Sequence, residues 1–122
     1  MDEPSRLGRA VKRGEVRWVT FPGPDKRRPV VILTRDSALR YLTSVTVAPV
    51  TSTVRDIPSQ VLLTPEEDGV PNVCAVSLDN VQTVRKAEIG ALVTTLSPAR
   101  LREVERALCF ALGMDWLLPT ER

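Results

Sequence analysis

Lys26-Arg27-Arg28 lead directly into the run Pro29-Val30-Val31-Ile32-Leu33, and about twenty residues later Val47-Ala48-Pro49-Val50 runs into Thr51-Ser52-Thr53. The first pattern sets a guanidinium at the mouth of a buried strand. The second closes another strand with a cluster of hydroxyls. A guanidinium holds a phosphate through paired N–H donors, and hydroxyl donors complete an oxyanion cradle. Together they suit a phosphodiester and point to nucleic acid. Taken singly, each also reads as an ordinary surface feature, a cation ahead of a buried strand and a polar turn after one.

What the chain lacks narrows the chemistry further. There is no histidine among its 122 residues, which rules out a paired-imidazole ribonuclease mechanism, a Ser-His-Asp triad and a His-ligated zinc site. Cys74 and Cys109 are too few for a Cys-rich metal site, and both sit in apolar contexts that read as core in a reducing compartment. The six glycines form neither a GxxxxGK nor a GxGxxG pattern. Kinases, NTPases and dehydrogenases therefore drop out, and no cofactor or metal is implied. Any catalysis falls to Arg, Asp/Glu, Ser/Thr or Tyr41.

The elements that must position these residues are mostly short strands. From Gly14 the pattern is β, Val16 to Phe21, then a Pro22-Gly23-Pro24-Asp25 turn, then Pro29 to Leu33. A strand with no polar alternation is buried on both faces, and Pro29, lacking an N–H, places Arg28 just outside the ladder. Thr34 to Tyr41 reads as one or two helical turns. Thr43 to Val50 and Ser59 to Leu63 resume β, and Glu66-Glu67-Asp68-Gly69 is an acidic turn. Asn72 to Leu78, Gln82 to Val84 and Ala91 to Leu96 give three more strands, with a helical turn near Lys86 to Ile89. One long helix is expected after the cap Ser97-Pro98, with Leu101, Val104, Leu108 and Ala111/Leu112 inward and Gly113 as its stop. Its outer face, Arg100, Arg102, Glu103 and Arg106, reads as solvated charge. Trp18 and Phe21 read as core. This is a small, mainly β (α+β) domain, a strongly curved barrel with a terminal amphipathic helix.

At 43% apolar the chain carries one core. No apolar run approaches the ~20 residues of a membrane span, and the polar start is unlike a signal peptide, so a soluble cytoplasmic protein is expected. The net charge of +2 hides an asymmetry. Residues 1–60 sum to +5 and residues 61–122 to −3, which suits one face for a polyanion. Residues 1–11 read as a flexible arm, 12–118 as the domain and 119–122 as a tail.

Five segments in order, Lys12-Arg13-Gly14-Glu15-Val16, Arg28 to Leu33, Pro49-Val50-Thr51-Ser52, Asp79 to Val84, and Ala107-Leu108 to Leu112-Gly113, resemble toxins of the MazF/PemK type. The resemblance covers about residues 12–118. It is nearest a mycobacterial subgroup with a shortened loop after the first strand and a Leu33-Thr34-Arg35 continuation. It implies an SH3-like β-barrel of the MazF/PemK/CcdB type, a homodimer, and a metal-independent endoribonuclease that cuts single-stranded RNA at a specific sequence. It also implies a cognate MazE-like antitoxin, expected to be acidic and partly disordered.

By the same resemblance the catalytic arginine falls on Arg28 and the threonine on Thr51. The implied reaction is attack of the ribose 2′-hydroxyl on phosphorus, leaving a 2′,3′-cyclic phosphate and a 5′-hydroxyl. For the base, relatives carry a Glu in the first loop, where this chain has only Asp25, and Asp79 occupies a second acidic position of the family. Asp79 reads equally as a turn cap or a partner for Arg28. Lys26, Arg27, Ser52, Thr53 and Arg55 are the expected RNA-binding residues, with Tyr41 as an exposed stacking surface. Two other functions share the fold. One is gyrase inhibition, for which the comparison is Gly113-Met114-Asp115-Trp116-Leu117-Leu118-Pro119, a segment that otherwise packs on the barrel or in a dimer interface. The other is a non-catalytic RNA-binding module.

Overall fold

Val30, Val31 and Ile32 are all fully buried, so their strand has protein on both faces. In the computed structural model, which describes residues 11–24 and 27–119, the odd and even residues of the central strands feed two cores. The strands are β1 (Glu15–Thr20), β2 (Arg27–Ile32), β3 (Ser44–Thr51), β4 (Gln60–Leu63), β5 (Cys74–Ser77), β6 (Gln82–Arg85) and β7 (Ile89–Thr95). Val16, Val31, Ala48, Val50, Leu63 and Val76 meet Val104 and Ala107 of the long helix in the first core. Val19, Val30, Ile32, Val45, Val47 and Val84 meet Leu39 in the second.

All pairings are antiparallel, in the order β4-β5-β3-β2-β1-β7, and β6 also pairs with β3. β3 is the pivot. Ser44 to Val47 bond to β6, whereas Val50 and Thr51 bond to β5. One strand thus serves two neighbours on the same edge, and the sheet curls into a half-barrel. Among the described residues three α-helices complete it: α1 (Asp36–Leu39), α2 (Pro65–Asp68) and α3 (Pro98–Ala111). The Ser97 side chain accepts the Arg100 N–H, Pro98 opens α3, and Gly113 follows it at φ 73°, as the sequence requires.

Several expectations are corrected. Arg28 lies inside the β1–β2 ladder, opposite Val19, with Arg27 opposite Thr20. Pro29 faces Trp18 in that ladder, so a proline at this position did not end the strand. Val11, expected at the end of a flexible arm, is buried in the second core with Val19, Val30 and Ile32, where an apolar side chain gains by leaving water. Residues 1–10 lie outside the described residues. Arg100 is not on a solvated face. Its Nε donates to the buried Asp68 at 2.9 Å, and its other nitrogens reach Glu67 and Glu103. Trp18 and Phe21 are only half-buried, as are Cys74 and Cys109. Trp116 is 76% exposed and does not pack on the barrel. Among the described residues no helix is long and apolar enough to cross a membrane.

Candidate active site

Arg28 and Thr51 are on neighbouring antiparallel strands. The β2–β3 register runs Ile32 to Val47, Val31 to Ala48 and Val30 to Pro49. Carried on by two residues, it sets Arg28 opposite Thr51. Opposed residues share a face, here the one whose inner part holds Val30, Ile32 and Val47 of the second core. The pair therefore stands where that core runs out to the surface, with Arg28 exposed and Thr51 half-buried. Both line a cavity of about 780 Å³, together with Phe21, Thr53, Arg55 and Asp79.

Local bonds fix the donors. Thr51 Oγ1 accepts the Thr53 N–H at 3.0 Å, which leaves the hydroxyl hydrogen to be donated outward. Gln60 latches the following loop. Its Oε1 accepts from Arg55 N at 2.7 Å, and its Nε2 donates to the Thr53 carbonyl at 3.2 Å. On the opposite wall Asp79 sits in a 3₁₀ turn, Leu78–Asn80. The buried Ser59 donates its hydroxyl to Asp79 Oδ2 at 2.5 Å, and Asn80 Nδ2 donates to Ser77 Oγ at 2.9 Å. Among the described residues no ion pair joins Asp79 to Arg28. Asp79 is thus held by a serine and not by the Arg28 guanidinium.

A second hollow, about 470 Å³, shares Arg28, Thr51 and Thr53 with the first. Trp18, Arg27, Ser52, Asn72 and Cys74 line it, and the Arg27 guanidinium carbon lies 4.2 Å from the Trp18 ring centroid, a cation–π contact. Burial, and after it the charge of Asp68, pushes the Cys74 thiol up. The shift favours the protonated thiol over the nucleophilic thiolate. Arg28, Thr51 and Thr53 thus line both hollows.

Residues 12–112 match the family described as PemK-like, MazF-like toxin of type II toxin–antitoxin systems. The chain belongs to that family. The probable endoribonuclease MazF2 of Mycobacterium tuberculosis is 38% identical over 103 residues, covering 84% of this chain and 99% of the relative. The solved Mycobacterium tuberculosis toxin MazF-mt6 superposes with a TM-score of 0.74 at 33% identity, over 84% of this chain and 99% of that one. A mycobacterial endoribonuclease solved in complex with its cognate antitoxin has a TM-score of 0.76 at 28% identity, covering 91% and 99%.

In this MazF-family toxin the residues singled out from sequence fall into three groups. Arg28, Thr51, Thr53, Arg55 and Asp79 meet in the main cavity. Arg27 and Ser52 lie in the second hollow. Tyr41 lies apart from both, in a hollow with Arg40, Arg85 and Lys86. Asp25 and Lys26 are outside the described residues. The sequence reading missed Phe21 as a cavity wall, Gln60 as the loop latch and Ser59 as the support of Asp79. Phe21 had a signal, since it continues the inward alternation of Val19 past the end of β1. Gln60 and Ser59 had none, because their partners are made by folding.

Proposed function

We propose that this chain is the toxin of a toxin–antitoxin pair, an endoribonuclease that cuts single-stranded RNA at a specific sequence without a metal and so inhibits translation and growth. The observation that carries the reading is the register that sets Arg28 opposite Thr51 at the mouth of a cavity. The ribose 2′-oxygen attacks phosphorus, forming the P–O2′ bond, and the P–O5′ bond breaks. The 2′-hydroxyl proton passes to a base and O5′ takes up a proton. The products are a 2′,3′-cyclic phosphate and a 5′-hydroxyl.

Arg28 neutralises the charge of the phosphorane, and the Thr51 hydroxyl donates to a non-bridging oxygen. Asp79, aligned by Ser59, is the base candidate within the described residues, and Asp25 is the other acid in reach by sequence. Thr53, Arg55 and Phe21 hold the strand in the main cavity, whereas Arg27 and Ser52 serve the other side; Lys26, an RNA-binding residue by sequence, lies outside the described residues. The antitoxin covers this cationic face and displaces RNA. Two protomers associate through the exposed apolar segment that ends in Trp116 and Leu117.

The test is incubation of purified protein with a long unstructured RNA in EDTA, beside Arg28→Ala and Thr51→Ala, with mapping of the fragment ends. Cleavage at one short motif with cyclic-phosphate ends is expected. Each variant should lose about 10²–10³ in rate, the usual cost of one preorganised donor. Intact RNA beside folded wild-type protein would sink the reading and bring forward gyrase inhibition, for which the exposed Trp116 is the motivating observation. RNA binding without cleavage would make the chain an RNA-binding module.

A further inference from the structure

Three cations and one aromatic ring gather at a place the reaction does not use. Arg40, Tyr41, Leu42, Thr43, Arg85 and Lys86 line a hollow of about 630 Å³, where the end of α1, the approach to β3 and the end of β6 meet. Tyr41 is 76% exposed, and the Arg40 guanidinium carbon lies 5.8 Å from its ring centroid. The hollow is built rather than incidental. The Lys86 ammonium donates to the Leu39 carbonyl and the Lys86 N–H donates to the Thr43 carbonyl at 2.7 Å, so one residue ties all three segments together. Glu88, the nearest carboxylate in sequence, accepts the Arg85 backbone N–H.

The path from this hollow to the main cavity is short. β6 begins with Gln82, which lines the cavity, and ends with Arg85, which lines the hollow. Three residues of strand span about 10 Å. Thr83 between them is exposed, and among the described residues β6 pairs with β3 alone. Gln82 and Arg85, three positions apart, stand on opposite faces of β6, so a strand of RNA running from the cavity to Arg85 and the ring would pass around the edge of β6.

We propose that the Arg40–Tyr41–Arg85–Lys86 hollow is an exosite for the same single-stranded RNA, with a flanking base stacked on Tyr41 and its phosphate held by Arg40 and Arg85. The proposal rests on the nuclease reading for its substrate, but its geometry is separate from Arg28 and Thr51. An exposed ring beside cationic side chains is how proteins hold single-stranded nucleic acid without reading its sequence. The exosite therefore adds affinity for long substrates and leaves the choice of cleavage motif to the cavity.

The experiment compares two single-stranded RNAs carrying the mapped motif, one with no flanks and one extended on both sides. Each is tested for cleavage by wild type, Tyr41→Ala, Tyr41→Phe and Arg85→Ser, and for binding by fluorescence anisotropy in the Thr51→Ala background. If no motif is found, the anisotropy is run with short and long unstructured RNA. The wild-type preference for the extended RNA should fall about tenfold in Tyr41→Ala and Arg85→Ser, through KM and not kcat, and Tyr41→Phe should retain it. An unchanged preference in folded variants overturns the exosite. Cleavage that survives alongside that result leaves the nuclease reading standing. Tyr41-dependent binding of the long RNA without cleavage by wild type would do the reverse. Loss of antitoxin binding in Tyr41→Ala with RNA binding intact would assign the hollow to that protein and overturn the proposal.

Discussion

One buried hydroxyl sets the direction of the Asp79 carboxylate. Ser59 donates to Oδ2, and among the described residues no other hydrogen bond engages that side chain. Removing a hydrogen bond to a charged group costs about 1.5–3 kcal/mol, so Ser59→Ala should slow single-turnover cleavage by at least about tenfold. If Ser59 acts through Asp79, the double variant Ser59→Ala/Asp79→Asn is no slower than Asp79→Asn alone. Additive losses would give Ser59 a separate role. Cys74 offers a second residue-scale check. Its thiol is pushed up by burial first and by Asp68 second, so the thiolate forms only above the ordinary cysteine range. Alkylation of Cys74 should be slow at neutral pH and still rising where a free cysteine has levelled off. A plateau at the ordinary value would show that the thiol is solvated.

At the scale of elements, Arg100 fastens α3 to α2. Asp68 is buried, and besides Arg100 Nε its carboxylate accepts the Thr64 N–H at 2.9 Å. Its own carbonyl takes the Thr94 hydroxyl at 2.7 Å. Arg100→Ala strands that buried charge, which costs about 3–5 kcal/mol when a buried pair loses one partner. Urea unfolding should show such a loss, and a change within about 0.5 kcal/mol would mean that solvent already screens Asp68. This contact also marks what could be read in advance. The Ser97-Pro98 start and Gly113 end of α3 are local signals, and the apolar run after Pro29 is the pattern of a strand buried on both faces. The choice of Arg28 and Thr51 as a pair comes from resemblance, and it is the β2–β3 register, carried on by two residues, that sets them opposite each other. Arg100 could not be read, because its partner Asp68 is brought beside it by the fold, and the surface-like sequence around both carries no mark of burial. The same holds for Arg17, which lies against Glu15 at 2.8 Å with both nearly buried. Tyr41 was recognised as exposed, but its separation from the cavity depends on where β3 begins and β6 ends.

Across the whole molecule, apolar surface is concentrated where the chain leaves α3. Phe110, Leu112, Met114, Trp116 and Leu117 are all exposed, although five large apolar side chains within eight positions are more than scattered surface residues explain. A monomer seldom leaves such a patch uncovered, and a second copy of the same chain is the simplest self-complementary cover. None of these five residues lines the cavities around Arg28 and Thr51, so an association through this segment would leave those linings uncovered. Sedimentation equilibrium of the full chain should therefore give a dimer at micromolar concentration. Trp116→Ala combined with Leu117→Ser should shift it to monomer, because aromatic anchors dominate interface energy and both residues contribute little to the protomer's own core. An unaltered far-ultraviolet circular dichroism spectrum would confirm that the protomer is still folded. A double variant that stays dimeric would place the interface on another face and leave the apolar segment to the antitoxin.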